Sequence, residues 1–165
     1  MAHQSLHFPE LTRRPKYERR ADYREYRQDI RVDCQGRCVY CDAHENELGG
    51  KEKMTIDHFR PKSRFSRLKH DPHNLVWACS ICNGYKEDDW PAFGTPHTCV
   101  NSKGFIDPFV EKLCEYFDVL PDGSLQAIKD PALYLIDKLK LNRTGSKKIR
   151  ENRNKRYERK QEAEA

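Results

Sequence analysis

Two Cys-x-x-Cys pairs constrain the fold of this 165-residue chain more than any other feature of its sequence. The first pair is Cys38 and Cys41, and the second pair is Cys79 and Cys82. Each pair offers two sulfur ligands from one tight turn, and four such ligands are typical of a tetrahedral zinc site. We therefore predict a structural zinc ion, bound by these four cysteines, that joins the two ends of the segment between them.

The composition also favours a metal-stabilised fold. Hydrophobic residues make up 36% of the chain and charged residues make up 35%, so few side chains are available to build a core. The total of seven cysteines is odd, and four of them fall in the two pairs, which does not suit a disulfide scaffold. These counts predict a reduced, cytoplasmic compartment.

No apolar run reaches the length of a membrane span, and the first residues contain no apolar segment of the kind that secretory signals carry. We therefore expect no membrane partner. The net charge of +5 makes a polyanion a reasonable partner instead. The stretch from Lys138 to Lys160 holds eleven Lys or Arg residues against two Glu, which predicts contact with a nucleic-acid backbone or an acidic protein surface.

Four polar residues stand between and beside the cysteine pairs: the dipeptide Asp57-His58, Asn74 and Asn83. An imidazole accepts a proton from water near neutral pH, which makes His58 a candidate general base. Asp57 and Asn83 offer the hard oxygen ligands that Mg²⁺ and Mn²⁺ prefer. Structural roles are the alternative, since Asp57 and Asn74 also suit turns and Asn83 also suits a helix N-cap.

The order of these residues resembles the zinc-bearing form of the HNH endonuclease family. The family pattern has a Cys-x-x-Cys pair, an Asp-His dipeptide, an Asn in the following loop, and a second Cys-x-x-Cys pair followed by Asn. Every element of that pattern is present here in order, and Pro61, Lys62 and Ser63 fit the run that follows Asp-His in the family. The resemblance covers about a third of the chain.

This resemblance implies a ββα-metal fold and the hydrolysis of phosphodiester bonds in nucleic acid. It implies that His58 activates the attacking water, while a divalent ion on Asp57 and Asn83 stabilises the leaving 3′ oxygen. Asn74 is then expected to hydrogen-bond the backbone of the long loop and so to orient His58. The resemblance also implies products with 5′-phosphate and 3′-hydroxyl ends, and we expect double-stranded DNA as the substrate.

The flanking sequence carries a second resemblance. The runs FIDPFVEKLCEYFDVLPDGSL and LKLNR are similar to HNH proteins of bacterial retron and Septu-type phage-defence systems. This similarity implies that the chain is the nuclease subunit of a defence complex with an ATPase partner. A competing hypothesis is a zinc module without catalytic activity that only binds nucleic acid or protein, and such a module would not need Asp57, His58 and Asn83 together.

We expect an α+β protein with a small zinc-stapled, treble-clef-like ββα core, flanking helices and a C-terminal extension. The predicted segments are an N-terminal arm and basic helix at 1–36, the core at 37–92 and the extension at 93–165, packed as one compact domain. Within the core we predict strands at 53–57 and 75–78, and a helix that begins at Asn83.

Outside the core, the pattern predicts four further elements. They are an extended arm at 1–16, a helix at 17–34, a hairpin of 115–120 with 124–128, and a helix that starts at Asp130. The last stretch, 146–165, is a good helix former with almost no apolar face, so we expect either a solvated basic helix or disorder.

Several basic residues are candidates for contact with phosphates. Those near the Asp-His pair are Arg60, Lys62, Arg64, Arg67 and Lys86. Those of the first helix are Arg19, Arg20, Arg24, Arg27 and Arg31, which could instead form a solvated face paired with neighbouring acids. His70 and His73 are second candidates for a base or ligand, Cys34 is a possible competing zinc ligand, and Cys99 and Cys114 have no assigned role.

Overall fold

The computed structural model describes residues 6–165. Over that part of the chain, four α-helices and three two-stranded antiparallel sheets are connected by loops and short 3-10 turns, which confirms the α+β prediction. The helices are α1 (Arg27–Asp33), α2 (Ser80–Lys86), α3 (Ala132–Lys138) and α4 (Thr144–Glu164). The strands are β1 (Met54–His58), β2 (Leu75–Cys79), β3 (Cys99–Val100), β4 (Lys103–Gly104), β5 (Phe117–Val119) and β6 (Leu125–Ala127).

The centre of the fold is the hairpin of β1 and β2 with α2 packed against it. The two strands pair from Met54 opposite Cys79 to His58 opposite Leu75. All five residues of β2 are buried, as expected for an apolar strand covered on both faces. The predicted order of strand, long loop, strand and helix is therefore confirmed.

The start of α2 differs from the prediction. The helix begins at Ser80 and not at Asn83, and Cys79 is its N-cap. The Cys79 sulfur accepts a hydrogen bond from the Cys82 backbone N–H at 3.3 Å, so the cysteine turn is itself the first helical turn. Asn83 consequently lies inside the helix, which removes the alternative role of a capping residue.

The N-terminal helix is shorter than predicted. A 3-10 turn, Tyr23–Tyr26, leads into α1, and Asp22 caps this turn through a capping box with Glu25. The preceding residues are not helical, because Tyr17 packs into the core and its hydroxyl donates to the Asp33 carboxylate. Further upstream, the predicted extended arm has no regular structure, but Phe8 is buried in the core. Residues 1–5 of that arm lie outside the described residues.

The C-terminal extension contains the predicted hairpin, formed by β5 and β6, and the predicted helix, α3. A second pair of strands, β3 with β4, was not predicted because its two-residue strands are too short to show an alternating pattern.

Helix α4 is docked on the core along one stripe. Ser146, Arg150 and Arg153 are buried, and their spacing of four and three residues places them on the same face. The Arg150 guanidinium donates to the backbone carbonyls of Gly123, Cys41 and Leu141. The expectation of a fully solvated or disordered basic segment is therefore wrong for this part of the helix. Arginines take the place of an apolar stripe.

Buried hydrophobic residues form one cluster that runs from Phe8 to Leu141 and includes residues of all three predicted segments. Trp77 and Trp90 are the largest side chains within it. None of the described helices combines the length and the apolar character that crossing a bilayer requires.

Candidate active site and zinc site

The four predicted zinc ligands lie together. Two come from the turn that holds Cys38 and Cys41, which we call the cysteine knuckle, and two come from the start of α2. The sulfur atoms of Cys38, Cys41, Cys79 and Cys82 all lie within 4.8 Å of one another, and all four residues are buried. The Cys41 and Cys79 sulfurs are 3.8 Å apart. A tetrahedral zinc with metal–sulfur bonds of about 2.3 Å separates its sulfurs by about 3.8 Å. The donor set therefore fits a structural zinc ion.

A cation that the sequence analysis did not single out lies beside these sulfurs. The Arg143 guanidinium is 3.7 Å from the Cys79 sulfur and 3.4 Å from the Cys82 sulfur. Four thiolates around one Zn²⁺ leave a net negative charge, which a neighbouring guanidinium offsets. Arg143 could not be recognised beforehand because it lies 61 residues from Cys82 along the chain.

The remaining cysteines stand apart from this cluster. Cys34 accepts a hydrogen bond from the Trp77 backbone N–H at 3.4 Å, and burial raises the pKa of its thiol to about 12. Cys34 does not belong to the group of four sulfurs that could hold a metal, so it is a buried structural residue. Cys99 is half-buried and Cys114 is exposed, and neither belongs to the metal-binding group.

His58 ends β1 and is held by one hydrogen bond. Its Nε2 lies 2.9 Å from the backbone carbonyl oxygen of Lys69. A carbonyl only accepts, so Nε2 carries the hydrogen and the lone pair of the neutral ring is on Nδ1. Burial lowers the pKa of His58 below its ordinary value of 6.5, and the charges of Lys62 and Lys86 act in the same direction. The neutral, proton-accepting form is therefore favoured near pH 7.

Asp57 is buried, and two donors share one of its oxygens. Oδ2 accepts from the Tyr40 hydroxyl and lies 3.1 Å from the Lys86 ammonium nitrogen. Burial raises the pKa of Tyr40, and the charge of Asp57 adds to this effect, so the phenol keeps its proton and donates. Tyr40 lies between the first two zinc ligands, so the zinc knuckle itself positions the carboxylate.

Lys86 has a different place from the one expected. Its side chain is fully buried, and its ammonium group also donates to the His58 carbonyl oxygen at 3.0 Å. Because both neighbours lie inside the fold, this ammonium is not available to a phosphate backbone. The expectation that Lys86 contacts nucleic acid is corrected, and its contacts are those of a residue that supports Asp57 and His58.

Asn74 closes the long loop between β1 and β2. Its side-chain oxygen accepts from the Arg60 N–H and its side-chain nitrogen donates to the Arg60 carbonyl, both at 2.9 Å. The Asn74 carbonyl also accepts from the Phe59 N–H. These contacts tie the residues directly after His58 to the start of β2, as the family resemblance implied for the backbone of this loop.

Asp57, His58, Lys62 and Asn83 line one cleft with a volume of about 390 Å³. The arrangement follows from the fold, because β1 supplies Asp57 and His58 while the packed helix α2 supplies Asn83. The cleft also contains Ser63, which belongs to the family-like run after Asp-His, and three residues that the sequence analysis missed: Tyr23, Glu87 and Asp88. The Tyr23 ring meets the His58 ring edge-on at 4.6 Å, a contact between segments with no recognisable sequence signal.

The other predicted candidates lie outside the lining of this cleft. The Arg60 guanidinium lies 5.0 Å from the centre of the Trp90 ring, and Arg64 lies 5.5 Å from that of Phe93. The His70 Nδ1 accepts from the Tyr23 backbone N–H at 3.1 Å. His73 pairs with Asp71 at 3.3 Å.

The structure thus places a cluster of four cysteines next to a ββα unit, with an aspartate, a histidine and an asparagine lining one cleft. The family model described as HNH endonuclease matches residues 38–89. Those residues are therefore an HNH endonuclease domain, and the nuclease-type function and nucleic-acid substrate of that domain follow. No curated protein matches the chain, and no solved structure matches it.

Proposed function

We propose that the chain is a metal-dependent HNH endonuclease that hydrolyses phosphodiester bonds in nucleic acid, with double-stranded DNA as the first candidate substrate. The observation that supports this proposal best is the meeting of Asp57, His58 and Asn83 in one cleft inside the HNH domain. A zinc module that only binds would not need a proton acceptor beside two oxygen ligands.

His58 is the proposed general base. Its Nε2 is occupied by the Lys69 carbonyl, so Nδ1 is the atom that takes a proton from the attacking water. The lowered pKa keeps the ring neutral at the pH where it acts. Asn74 is a positioning residue, since its two bonds to the Arg60 backbone hold the loop that follows the base.

Asp57 and Asn83 are the proposed ligands of a catalytic divalent ion, Mg²⁺ or Mn²⁺. Both offer the hard oxygen donors that these ions prefer, and both line the cleft beside the base. When bound, such an ion neutralises charge on the phosphate and on the leaving 3′ oxygen. Tyr40 and Lys86 hold Oδ2 of Asp57 and offset its buried charge. The four-cysteine zinc site is closed, so its role is structural.

Lys62 lines the cleft and is the predicted basic residue best placed to meet the scissile phosphate. Arg60 and Arg64 stay as candidates for flanking contacts. We also propose a cytoplasmic location, which the seven unpaired cysteines support. The flanking runs similar to phage-defence HNH proteins support a role as the nuclease subunit of a defence complex with an ATPase partner.

The test is incubation of the protein with plasmid DNA, and in parallel with single-stranded DNA and RNA, in Mg²⁺ or Mn²⁺. His58→Ala should lower the cleavage rate at least ~100-fold, the usual scale of a lost general base. Zinc content and the melting temperature should stay close to those of the wild type. The matched control is His97→Ala, which removes an exposed imidazole away from the cleft.

If His58→Ala cuts as fast as the wild type, the assigned base is wrong, and His70 and His73 become the next variants to make. If the wild type cuts none of the three substrates with either metal, the binding-only zinc module becomes the better description of the chain.

A further inference from the structure

A basic cavity of about 620 Å³ lies beside the catalytic cleft. Its walls are the segment before the first 3-10 turn and the end of the loop between β1 and β2, and they include Arg19, Arg20, Arg67 and His70. We propose that this cavity binds a backbone phosphate of the nucleic-acid substrate next to the scissile one. The inference rests on the proposed function and specifies how the substrate lies on the protein.

The charge of the cavity is free to meet an anion. Arg19 and Arg67 are exposed, and within residues 6–165 neither forms an ion pair. The acidic residue in the lining is Asp71, and one of its oxygens accepts from the His73 backbone N–H and pairs with the His73 ring. The lining therefore includes three arginines and one aspartate, and an oxygen of that aspartate is already engaged, which suits a phosphate.

Arg20 supplies an independent observation. Its Nε is buried and has no hydrogen-bond partner among the described residues. Its only ion pair there is with Glu18, at 3.6 Å, and that carboxylate is 80% exposed. That Nε is covered by protein, so a ligand in the cavity would meet the other nitrogens of the guanidinium, since the Arg20 side chain is 35% exposed.

His70 adds a directed donor to the same wall. Its Nδ1 accepts the Tyr23 backbone N–H at 3.1 Å, so the hydrogen of the ring is on Nε2. An Nε2–H donor beside arginines is well suited to a phosphate oxygen. The predicted role of His70 as a replacement base or ligand is disfavoured, because the ring nitrogen that carries the lone pair already accepts the Tyr23 backbone N–H.

One tyrosine ring of the cleft contacts a residue of each site. The centre of the Tyr23 ring lies 4.6 Å from that of His58 and 5.9 Å from that of His70. The Lys62 ammonium is 5.2 Å from the same ring. In addition, Lys69, whose carbonyl holds His58, directly precedes His70. This continuity favours the substrate's own backbone over an acidic partner protein as the occupant.

The test compares Arg19→Gln/Arg20→Gln/Arg67→Gln with a control that loses three charges elsewhere, Lys103→Gln/Lys112→Gln/Lys129→Gln. The control lysines are exposed and lie outside the cavity lining. Both sets are placed in a His58→Ala background, and fluorescence anisotropy measures binding of 20-nucleotide single strands and 20-bp duplexes at several salt concentrations. If the triple variant does not fold, Arg19→Gln/Arg67→Gln, which changes exposed side chains alone, replaces it.

We expect the cavity variant to lose at least ~10-fold in affinity and to flatten the slope of log affinity against log salt by about 0.9 per lost phosphate contact. The control should change much less. With His58 present, the cavity variant should raise KM with little change in kcat, because it alters binding and not the reacting groups.

Unchanged affinity and slope, or equal losses in the cavity and control variants, would overturn the inference. In that case an acidic protein partner would be the remaining occupant to examine. The proposed function fails separately, if wild-type protein does not cleave, since the binding comparison is made in protein that lacks the base.

Discussion

Lys86 shows how a single buried charge can organise the cleft of a candidate active site. Its ammonium group lies 3.1 Å from Asp57 Oδ2 and 3.0 Å from the His58 carbonyl oxygen, and its side chain is fully buried. A buried ammonium is tolerated only when it is paired and hydrogen-bonded. Lys86 thereby offsets the carboxylate that is proposed to bind metal and fixes the backbone of the proposed base.

The first prediction follows from this pair. Lys86→Met should lower the free energy of unfolding by about 3–5 kcal/mol, because it leaves the Asp57 charge buried without its cation. Asp57→Asn/Lys86→Met should be less destabilised than the sum of the two single variants, since neither charge is then left alone. Urea unfolding of the four proteins measures this coupling, and strictly additive losses would show that the two groups do not stabilise one another.

Among the elements, α1 is joined to the turn after the first cysteine pair by a partly buried ion pair. Arg31 of α1 makes bidentate contact with the Glu45 carboxylate, which is buried at the start of the 3-10 turn Glu45–Leu48. The hydrogen bonds from Arg31 lower the pKa of Glu45 below its ordinary value of 4.5. The lowered pKa means that the folded state stabilises the ionised form of Glu45 more than the unfolded state does.

Glu45→Gln should therefore lower the melting temperature by a few degrees at pH 7. The stability that the ionised Glu45 contributes is present above pH 4.5 and is lost as the pH falls through the lower folded-state pKa. The difference in melting temperature between wild type and variant should become smaller in acid. Thermal melts between pH 7 and pH 3 measure this difference. A gap that is constant or widens in acid would rule out the ionic origin.

The cysteine knuckle is the other element with a direct test. Because the four thiolates form a closed set, Cys79→Ser should give protein that is poorly folded and low in zinc, whereas Cys114→Ser, at an exposed cysteine outside the set, should not. Elemental analysis and circular dichroism with and without a strong chelator are the measurements. Wild-type protein that contains no zinc, or stays folded after chelation, would contradict a structural zinc site.

At the scale of the whole molecule, α4 near the C-terminus packs against the segment that follows Cys38 and Cys41. Arg153 is buried, and its guanidinium binds the carboxylates of Asp42 and Glu47. Asp42 also pairs with Arg37 at 3.1 Å, so the loop around the zinc ligands is enclosed by arginines. The basic C-terminal segment thus has a structural half and an exposed half, and deletion of 146–165 would remove both.

A cleaner pair of variants separates these halves. Arg153→Leu should destabilise the protein by about 1–3 kcal/mol, because it removes one of the two arginine partners of the buried Asp42 and one of the two of Glu47. Deletion of 158–165 should leave the melting temperature almost unchanged, since every residue removed is exposed. Differential scanning calorimetry compares the two. If Arg153→Leu has the same melting temperature as the wild type, α4 does not stabilise the cysteine knuckle as its contacts indicate.

The sequence by itself determined the parts of this protein that depend on neighbours along the chain. The spacing of the cysteine pairs predicted the metal-binding group, and Asp57-His58 with Asn83 predicted the cleft, because short turns and a β-strand followed by a helix hold such residues at nearly constant separations. The turn residues Pro121–Gly123 likewise predicted the β5–β6 hairpin.

Only the tertiary structure decided what surrounds those groups. In the sequence, nothing distinguishes Lys86, Tyr40 and Arg143 from residues of the protein surface. Their roles depend on which distant segment folds against them. Arg153 lies 111 residues from Asp42, so nothing in the local sequence indicates that it is buried. A charged side chain is stable in the interior only when oppositely charged or hydrogen-bonding partners lie beside it. The tertiary fold determines which partners these are, and local sequence spacing does not.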